Sequence, residues 1–166
     1  MIDRVQKEMK YYAQEQPLWC LYACTQMLLE FYGINGFDQK RLYEIHMAGG
    51  GGDKSIGIFI RGVNKLIGDR MKYNISLNLA ANAIKNHIEN DDPVCVNLYL
   101  EPDGRCGHSH MIYGYDDDKD IFSIIDPDPN NKTGKGKYYD MSYNDFNKGF
   151  ECNRQKHVGK EIFIVK

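Results

Sequence analysis

The chain has 166 residues, enough for one domain that buries a hydrophobic core without disulfide bonds. Its 21 basic and 23 acidic residues nearly balance, and no lysine- or arginine-rich cluster is interleaved with aromatic residues, which disfavours nucleic acid as a partner. No apolar run approaches the ~20 residues needed to cross a bilayer. We therefore expect a single domain over residues 1–166, cytoplasmic or exported by a route that needs no signal peptide.

The first part of the chain leads to a helix that begins with a cysteine. Residues 1–13 are charged and predict an N-terminal arm, including a short helix packed loosely on the domain. From Cys20 onward, apolar residues recur at helical spacing on several sides, which predicts a helix buried at the centre of the domain. Pro17 favours an extended approach to this helix. Cys20 is therefore expected at the helix N-terminus, where free N–H groups and the helix dipole stabilise a thiolate.

Apolar periodicity divides the rest of the chain into helices followed by strands. Three further segments before residue 94 are predicted to be helices, and from residue 94 the spacing changes to the alternation typical of strands, with one short helix among them. Helices followed by antiparallel strands predict an α+β domain. The expected helices span 38–47, 56–67, 80–88 (capped by Asn78) and 144–150, and the expected strands span 94–100, 108–115, 121–125, 138–143 and 162–165.

Several residues suggest a nucleophilic site. A thiol that attacks a carbonyl needs a base, a group that orients the base, and hydrogen-bond donors for the oxyanion. Cys20 offers the thiolate, and either His108 or His110 offers the imidazole. Asp126 follows on the next strand of an expected antiparallel hairpin, within reach of a histidine ring. Gln14 would add its side-chain amide to the backbone N–H of Cys20 in an oxyanion hole.

Strand periodicity does not separate the two histidines, because His108 and His110 point to the same face. If the hairpin turns near Asp118, Asp126 pairs closest to position 110 and reaches position 108 through a diagonal contact or a bulge. His108 lies nearer the loop end of its strand, where the ring can overhang a cleft and meet a thiol carried by another part of the domain. We therefore prefer His108 as the base.

A zinc site is the alternative use of several of these side chains. Cys24 shares a helix face with Cys20, and Cys106, His108 and His110 alternate along one segment. The paired CxxC spacing typical of structural zinc does not occur, so we expect neither a metal nor another cofactor. Five cysteines are an odd number, which argues against a disulfide framework. Cys95, Cys106 and Cys152 are expected to be ordinary reduced thiols.

Three blocks in this order resemble the papain-like cysteine peptidases of bacteria. In the first, Gln14 is followed by five residues and then Cys20, as in one branch of that family. In the second, His108 stands six residues before Gly114. In the third, Asp126 precedes a proline, as in peptidases that trim leader peptides from exported bacteriocins.

The resemblance implies a two-lobed papain-like fold, in which a helical N-terminal lobe with a central cysteine-bearing helix packs against a lobe of antiparallel sheet. It implies cleavage of a peptide or isopeptide bond through an acyl-thioester on Cys20, with a protein or peptide as the substrate. By the same resemblance His108 is the base and Asp126 orients it. Gln14 belongs to the oxyanion hole, and Gln16 is the alternative donor if the loop is shifted.

Two other classes of function remain open. The same triad would serve an acyltransferase, a transglutaminase-like enzyme or a glutamine deamidase acting as an effector or toxin. A catalytically inactive relative would use the cleft as a binding module. The presence of nucleophile, base, orienting carboxylate and oxyanion donor together disfavours this last class.

Overall fold

The structure is a computed structural model that describes residues 2–50, 55–75, 81–100, 105–130, 136–156 and 160–166. No helix in these segments has both the length and the apolar character needed to span a bilayer. The helices described are α1 (Cys20–Phe31), α2 (Gln39–Gly50), α3 (Ile56–Ile67), α4 (Ala81–Glu89) and α5 (Tyr143–Lys156). The strands described are β1 (Ile2–Arg4), β2 (Met71–Ile75), β3 (Val94–Leu100), β4 (Arg105–Asp116), β5 (Ile121–Ile125), β6 (Tyr138–Ser142) and β7 (Lys160–Ile164).

The strands form one antiparallel sheet with β4 near its centre. Their order is β2-β7-β3-β4-β5-β6, and β1 pairs with the part of β4 that extends beyond β3. The predicted hairpin of β4 and β5 is confirmed, with Asp116 opposite Ile121 and Met111 opposite Ile125. The register shifts between Ile112 and Gly114, which marks a bulge or irregularity in β4. This hairpin carries both histidines and leads directly into Asp126.

Helix α1 lies at the centre of the molecule, as its apolar sequence predicts. It packs against β3 and β4 on one side and against α2 on another. Met27, Leu28 and Leu29 on successive faces are each no more than 1% exposed. Full burial of such a side chain contributes about 1.5–3 kcal/mol, so α1 has to be enclosed on all sides. The α+β class and the packing of N-terminal helices on an antiparallel sheet are both confirmed.

The N-terminal arm differs from the prediction. Its first residues form β1 and not a short helix, with Ile2 opposite Asp116 and Arg4 opposite Gly114. The reason is that β4 continues past the end of β3 and leaves an edge with unpaired backbone groups, which β1 satisfies. Val5 is buried as the chain leaves the sheet.

The sequence prediction missed one strand and gave one helix too short. Strand β2 was not predicted, although Met71 is fully buried and pairs opposite Ile164 at the end of the sheet. Helix α5 begins at Tyr143 and extends further than the expected 144–150. Asn78, the predicted cap of α4, lies outside the described residues.

Candidate active site

Cys20 is the first residue of α1, and a tight turn places it there. Leu18 has a backbone φ of +70°, a left-handed conformation that leucine seldom adopts. The N–H of Trp19 donates to the carbonyl of Gln16 at 3.2 Å and closes the turn. Cys20 thus lies among the N–H groups that have no partner within the helix, at the end of the dipole that favours a thiolate. It is only 9% exposed.

His108, in β4, connects the thiol to a carboxylate. Its ring lies close enough to the Cys20 thiol for a hydrogen bond and a charge interaction that lower the pKa of the thiol. Its Nε2 lies 2.8 Å from Oδ1 of Asp126. Because Nε2 is engaged with the carboxylate, Nδ1 is the ring nitrogen left to interact with the thiol. The imidazole is therefore placed to hold a proton between the thiol and the carboxylate.

The pKa values of this pair shift in opposite directions. Burial by itself raises the pKa of the Cys20 thiol, but hydrogen bonds with His108 and Ser109 and the charge of His108 bring it below its ordinary value. Burial lowers the pKa of His108, but hydrogen bonds and charge from Asp126 and Cys20 raise it to about 9. Both shifts favour one species, a Cys20 thiolate beside a His108 imidazolium.

Asp126 contacts both histidines. Oδ1 meets His108 at 2.8 Å, and Oδ2 lies 3.4 Å from Nε2 of His110. Met111 lies opposite Ile125, and continuing this register brings position 110 opposite position 126. His108 lies two residues before position 110 on its strand, so its contact with Asp126 is diagonal. Burial would raise the pKa of Asp126, but its hydrogen bond with His108 and its contact with the His110 imidazole hold that pKa well below its usual range. Asp126 is thus an anion between two imidazole rings.

The backbone of Asp126 is fixed from both sides. Its N–H donates to the carbonyl of Lys137 at 2.8 Å, and its carbonyl accepts from the hydroxyl of Tyr11 at 3.1 Å. Oδ1 also accepts from the N–H of Asp128 at 2.8 Å. Burial, followed by the nearby charge of Asp126, raises the pKa of Tyr11 to about 12, so this hydroxyl stays a donor. These contacts hold the carboxylate in one orientation.

Gln14, in the segment before α1, lies near Asp126. Its N–H donates to the carbonyl of Pro127 at 2.8 Å, which anchors it next to Asp126. Its side-chain Oε1 is buried and has no hydrogen-bond partner among the described residues. Gln16 lies exposed on the turn before Cys20. The structure therefore places Gln14 next to the segment that carries the buried aspartate.

Gln39 at the start of α2 was missed by the sequence analysis. Its Nε2 donates to the carbonyl of Ala13 at 2.7 Å, and its Oε1 accepts from the N–H of Glu15 at 2.9 Å. The two hydrogen bonds therefore hold the residue before Gln14 and the residue after it. A single glutamine at a helix start belongs to no motif, so no sequence signal marked it.

An aromatic cluster supports the start of α1. Trp19 stacks on Tyr43 with ring centroids 5.2 Å apart, and Tyr22 packs edge-on against both rings. The Tyr22 hydroxyl hydrogen-bonds Nδ1 of His46 at 2.9 Å. Tyr43 is partly exposed, so the cluster also forms an apolar surface next to Cys20.

Cys24, the second cysteine of α1, lies next to Cys95. It hydrogen-bonds the side chain of Cys95, and burial raises its pKa well above the ordinary value, which favours the neutral thiol. Cys24 and Cys95 are both free cysteines. The side chains of Cys106 and Cys152 lie outside the described part of the structure.

Only one group of described side chains has donors spaced for a metal ion. Ligand atoms of His108, His110 and Asp126 lie within 4.8 Å of one another. The chemistry of this donor set suits a divalent metal. In this structure, however, the carboxylate is already paired with both imidazoles, and a metal would have to displace the contact between His108 and Asp126.

Comparison with known proteins agrees with this fold. The model of the Peptidase_C39 like family matches residues 6–157. The peptidase domain of Streptococcus ComA, a bi-functional ABC transporter involved in a quorum sensing pathway, has the same fold with a TM-score of 0.65 and 17% identity, over 96% of this chain and 100% of that one. Xylellain, a cysteine protease from Xylella fastidiosa, gives a TM-score of 0.65 and 14% identity, over 99% of this chain and 86% of that one. Comparison with curated proteins gives no significant match.

Proposed function

The chain belongs to the Peptidase_C39 like family of cysteine peptidases, and we propose that it hydrolyses a peptide or isopeptide bond with Cys20 as the nucleophile. One observation carries the proposal: the Cys20 thiol lies within hydrogen-bonding reach of the His108 ring, and Nε2 of that ring lies 2.8 Å from Oδ1 of Asp126. Nucleophile, base and orienting carboxylate in hydrogen-bonding sequence are what acyl transfer through a thiol requires. The thiolate and imidazolium favoured by the pKa shifts are the reactive forms.

The first half of the reaction forms an acyl-enzyme. The Cys20 thiolate attacks the carbonyl carbon, and the oxyanion that forms accepts hydrogen bonds from the Cys20 N–H and the Gln14 side-chain amide. The His108 imidazolium then donates its proton to the leaving amine as the C–N bond breaks. The product amine departs, and the acyl group stays on Cys20 as a thioester.

The second half restores the enzyme. Neutral His108 takes a proton from a water molecule, whose oxygen attacks the thioester carbonyl in the same oxyanion hole. The C–S bond breaks, the carboxylic acid leaves, and the thiolate and imidazolium are formed again. Asp126 keeps Nδ1 of His108 directed at the sulfur through both halves. His110 supports the second oxygen of that carboxylate.

The substrate class we propose is a protein or peptide. Support comes from the family and from two structural relatives, one described as a peptidase domain and the other as a cysteine protease. The partly exposed Trp19 and Tyr43 surface beside Cys20 would contact an apolar side chain near the scissile bond.

Mass spectrometry of a proteome incubated with the wild type or with Cys20→Ala tests the proposal. New peptide N-termini should appear with the wild type and not with Cys20→Ala. Cys20-dependent conversion of glutamine to glutamate, or amine adducts without new N-termini, would indicate a deamidase or a transferase. No Cys20-dependent product of any kind would indicate a binding module.

A further inference from the structure

We propose that Gln39 is a positioning residue for the oxyanion hole, acting through the backbone on both sides of Gln14. The inference rests on the proposed function, in which Gln14 donates to the oxyanion. It adds Gln39, which lies 25 positions further along the chain than Gln14, at the start of α2. Gln39 itself does not touch the reacting atoms.

The two bonds of the Gln39 amide define its orientation. The carbonyl of Ala13 can only accept a hydrogen bond, and the N–H of Glu15 can only donate one. The amide nitrogen of Gln39 therefore faces Ala13 at 2.7 Å, and its oxygen faces Glu15 at 2.9 Å. Gln39 is 0% exposed, so water does not compete for these bonds. The side chain holds the residue before Gln14 and the residue after it.

The support behind Gln39 is rigid. Oδ1 of Asp38 accepts from the N–H of Arg41 at 2.8 Å, which caps the first turn of α2. Leu42, one turn further on, is fully buried and donates its N–H to the carbonyl of Asp38. The position of Gln39 is therefore determined by the packing of α2 in the core, and not by the loop it contacts.

Gln14 links this support to the catalytic carboxylate. Its own N–H bonds the carbonyl of Pro127 at 2.8 Å, next to Asp126. Its side-chain oxygen has no partner among the described residues, so the orientation of the amide depends on its backbone. An oxyanion donor acts only when it is held close to the position where the charge develops. Release of the segment 13–15 from α2 should therefore weaken that donor.

Two reactions of Cys20 separate this role from a general structural one. Acylation by p-nitrophenyl acetate passes through an oxyanion, whereas alkylation by iodoacetamide displaces iodide and forms none. Gln39→Met keeps the length of the side chain and removes both hydrogen bonds. We expect it to slow Cys20-dependent acylation about tenfold, a fraction of the 10²- to 10³-fold attributed to a whole oxyanion donor, and to leave alkylation within about twofold.

Four further variants complete the experiment. Gln14→Ala should slow acylation about 100-fold, and adding Gln39→Met to it should have no further effect, because the donor is already gone. Gln39→Glu still accepts from Glu15 but cannot donate to Ala13, and it serves as a second variant if Gln39→Met does not fold. Gln26→Met is the matched control, since it removes a buried amide of α1 that makes no hydrogen bond to residues 13–15 in the described structure.

The outcomes are distinct. Unchanged acylation in the folded Gln39 variants, or equal slowing of acylation and alkylation, would overturn the inference. So would independent, multiplicative effects of Gln14→Ala and Gln39→Met. Wild-type acylation that does not depend on Cys20 would instead overturn the proposed function, and this inference with it.

Discussion

Asp126 holds the ring of His108 through a contact of 2.8 Å between Oδ1 and Nε2, with 0% of one side chain and 3% of the other exposed to solvent. At this burial the pair is hardly screened by salt, and the carboxylate determines which ring nitrogen faces Cys20. The reactivity of the thiol therefore depends on an aspartate that does not touch it.

The two histidines should differ in their effect on turnover. His108→Ala removes the imidazole that hydrogen-bonds the thiol, and it should lower kcat/KM by about 10²- to 10⁴-fold. His110→Gln removes a contact with the far oxygen of Asp126 and should leave substantial activity. Steady-state kinetics with circular dichroism as the folding control measure both. The reverse pattern would assign the base to His110.

Cys20 should be the most reactive thiol among the described cysteines. Its pKa lies below the ordinary value, whereas burial raises the pKa of Cys24 well above it. Iodoacetamide at mildly acidic pH should label Cys20 first, as located by peptide mapping. In His108→Ala the hydrogen bond and charge that lower the pKa are lost, so labelling should require higher pH. Preferential labelling of Cys95 would contradict this assignment.

The alkaline limb of the pH profile should report His108. Its pKa is raised to about 9, so the imidazolium that protonates the leaving group is lost as the pH rises through that value. Asp126→Asn removes the negative charge that helps to raise this pKa and leaves His108 only a neutral hydrogen-bond acceptor. The limb should then move to lower pH, measured as Cys20-dependent turnover after subtraction of the Cys20→Ala rate. A limb that stays in place would show that another group titrates.

Gly114→Ala should destabilise the pairing of β1 with β4. A Cβ at position 114 would lie 2.7 Å from Cγ of Arg4 and 3.0 Å from the carbonyl oxygen of Asp3. We expect the free energy of unfolding in urea to fall by about 1–3 kcal/mol, the usual cost of such overpacking. The same substitution in an Arg4→Ala background should cost less, because the closest contact has been removed. Equal costs in both backgrounds would rule out this contact as the cause.

Removal of divalent metal should leave turnover unchanged. The carboxylate of Asp126 is already paired with His108 and His110, and the proposed reaction uses only protein groups and water. Turnover after dialysis against EDTA should equal that of the untreated protein, and the far-UV spectrum should not change. Loss of activity that added zinc restores would favour a metal-dependent site.

The sequence by itself determined the elements whose signals are local. Helical spacing of apolar residues located α1 and α3, and strand alternation located β3 and the β4–β5 hairpin, because these periods follow from backbone geometry. Cys20 at the start of α1 follows from the chain around Pro17 and the apolar run after it. The family resemblance named Gln14, His108 and Asp126 as site residues, and the structure brings all three to the same part of the molecule.

Only the tertiary structure decided the contacts between distant segments. The edge that turns residues 2–4 into a strand exists only after β4 has paired with β3. His108 and His110 share one face of β4, so the docking of α1 and the diagonal reach of Asp126 decide which ring meets the thiol. Gln39 gains its partners when α2 packs beside the segment 13–15. Periodicity describes which side of an element is buried, and it contains no information about which distant residue lies opposite.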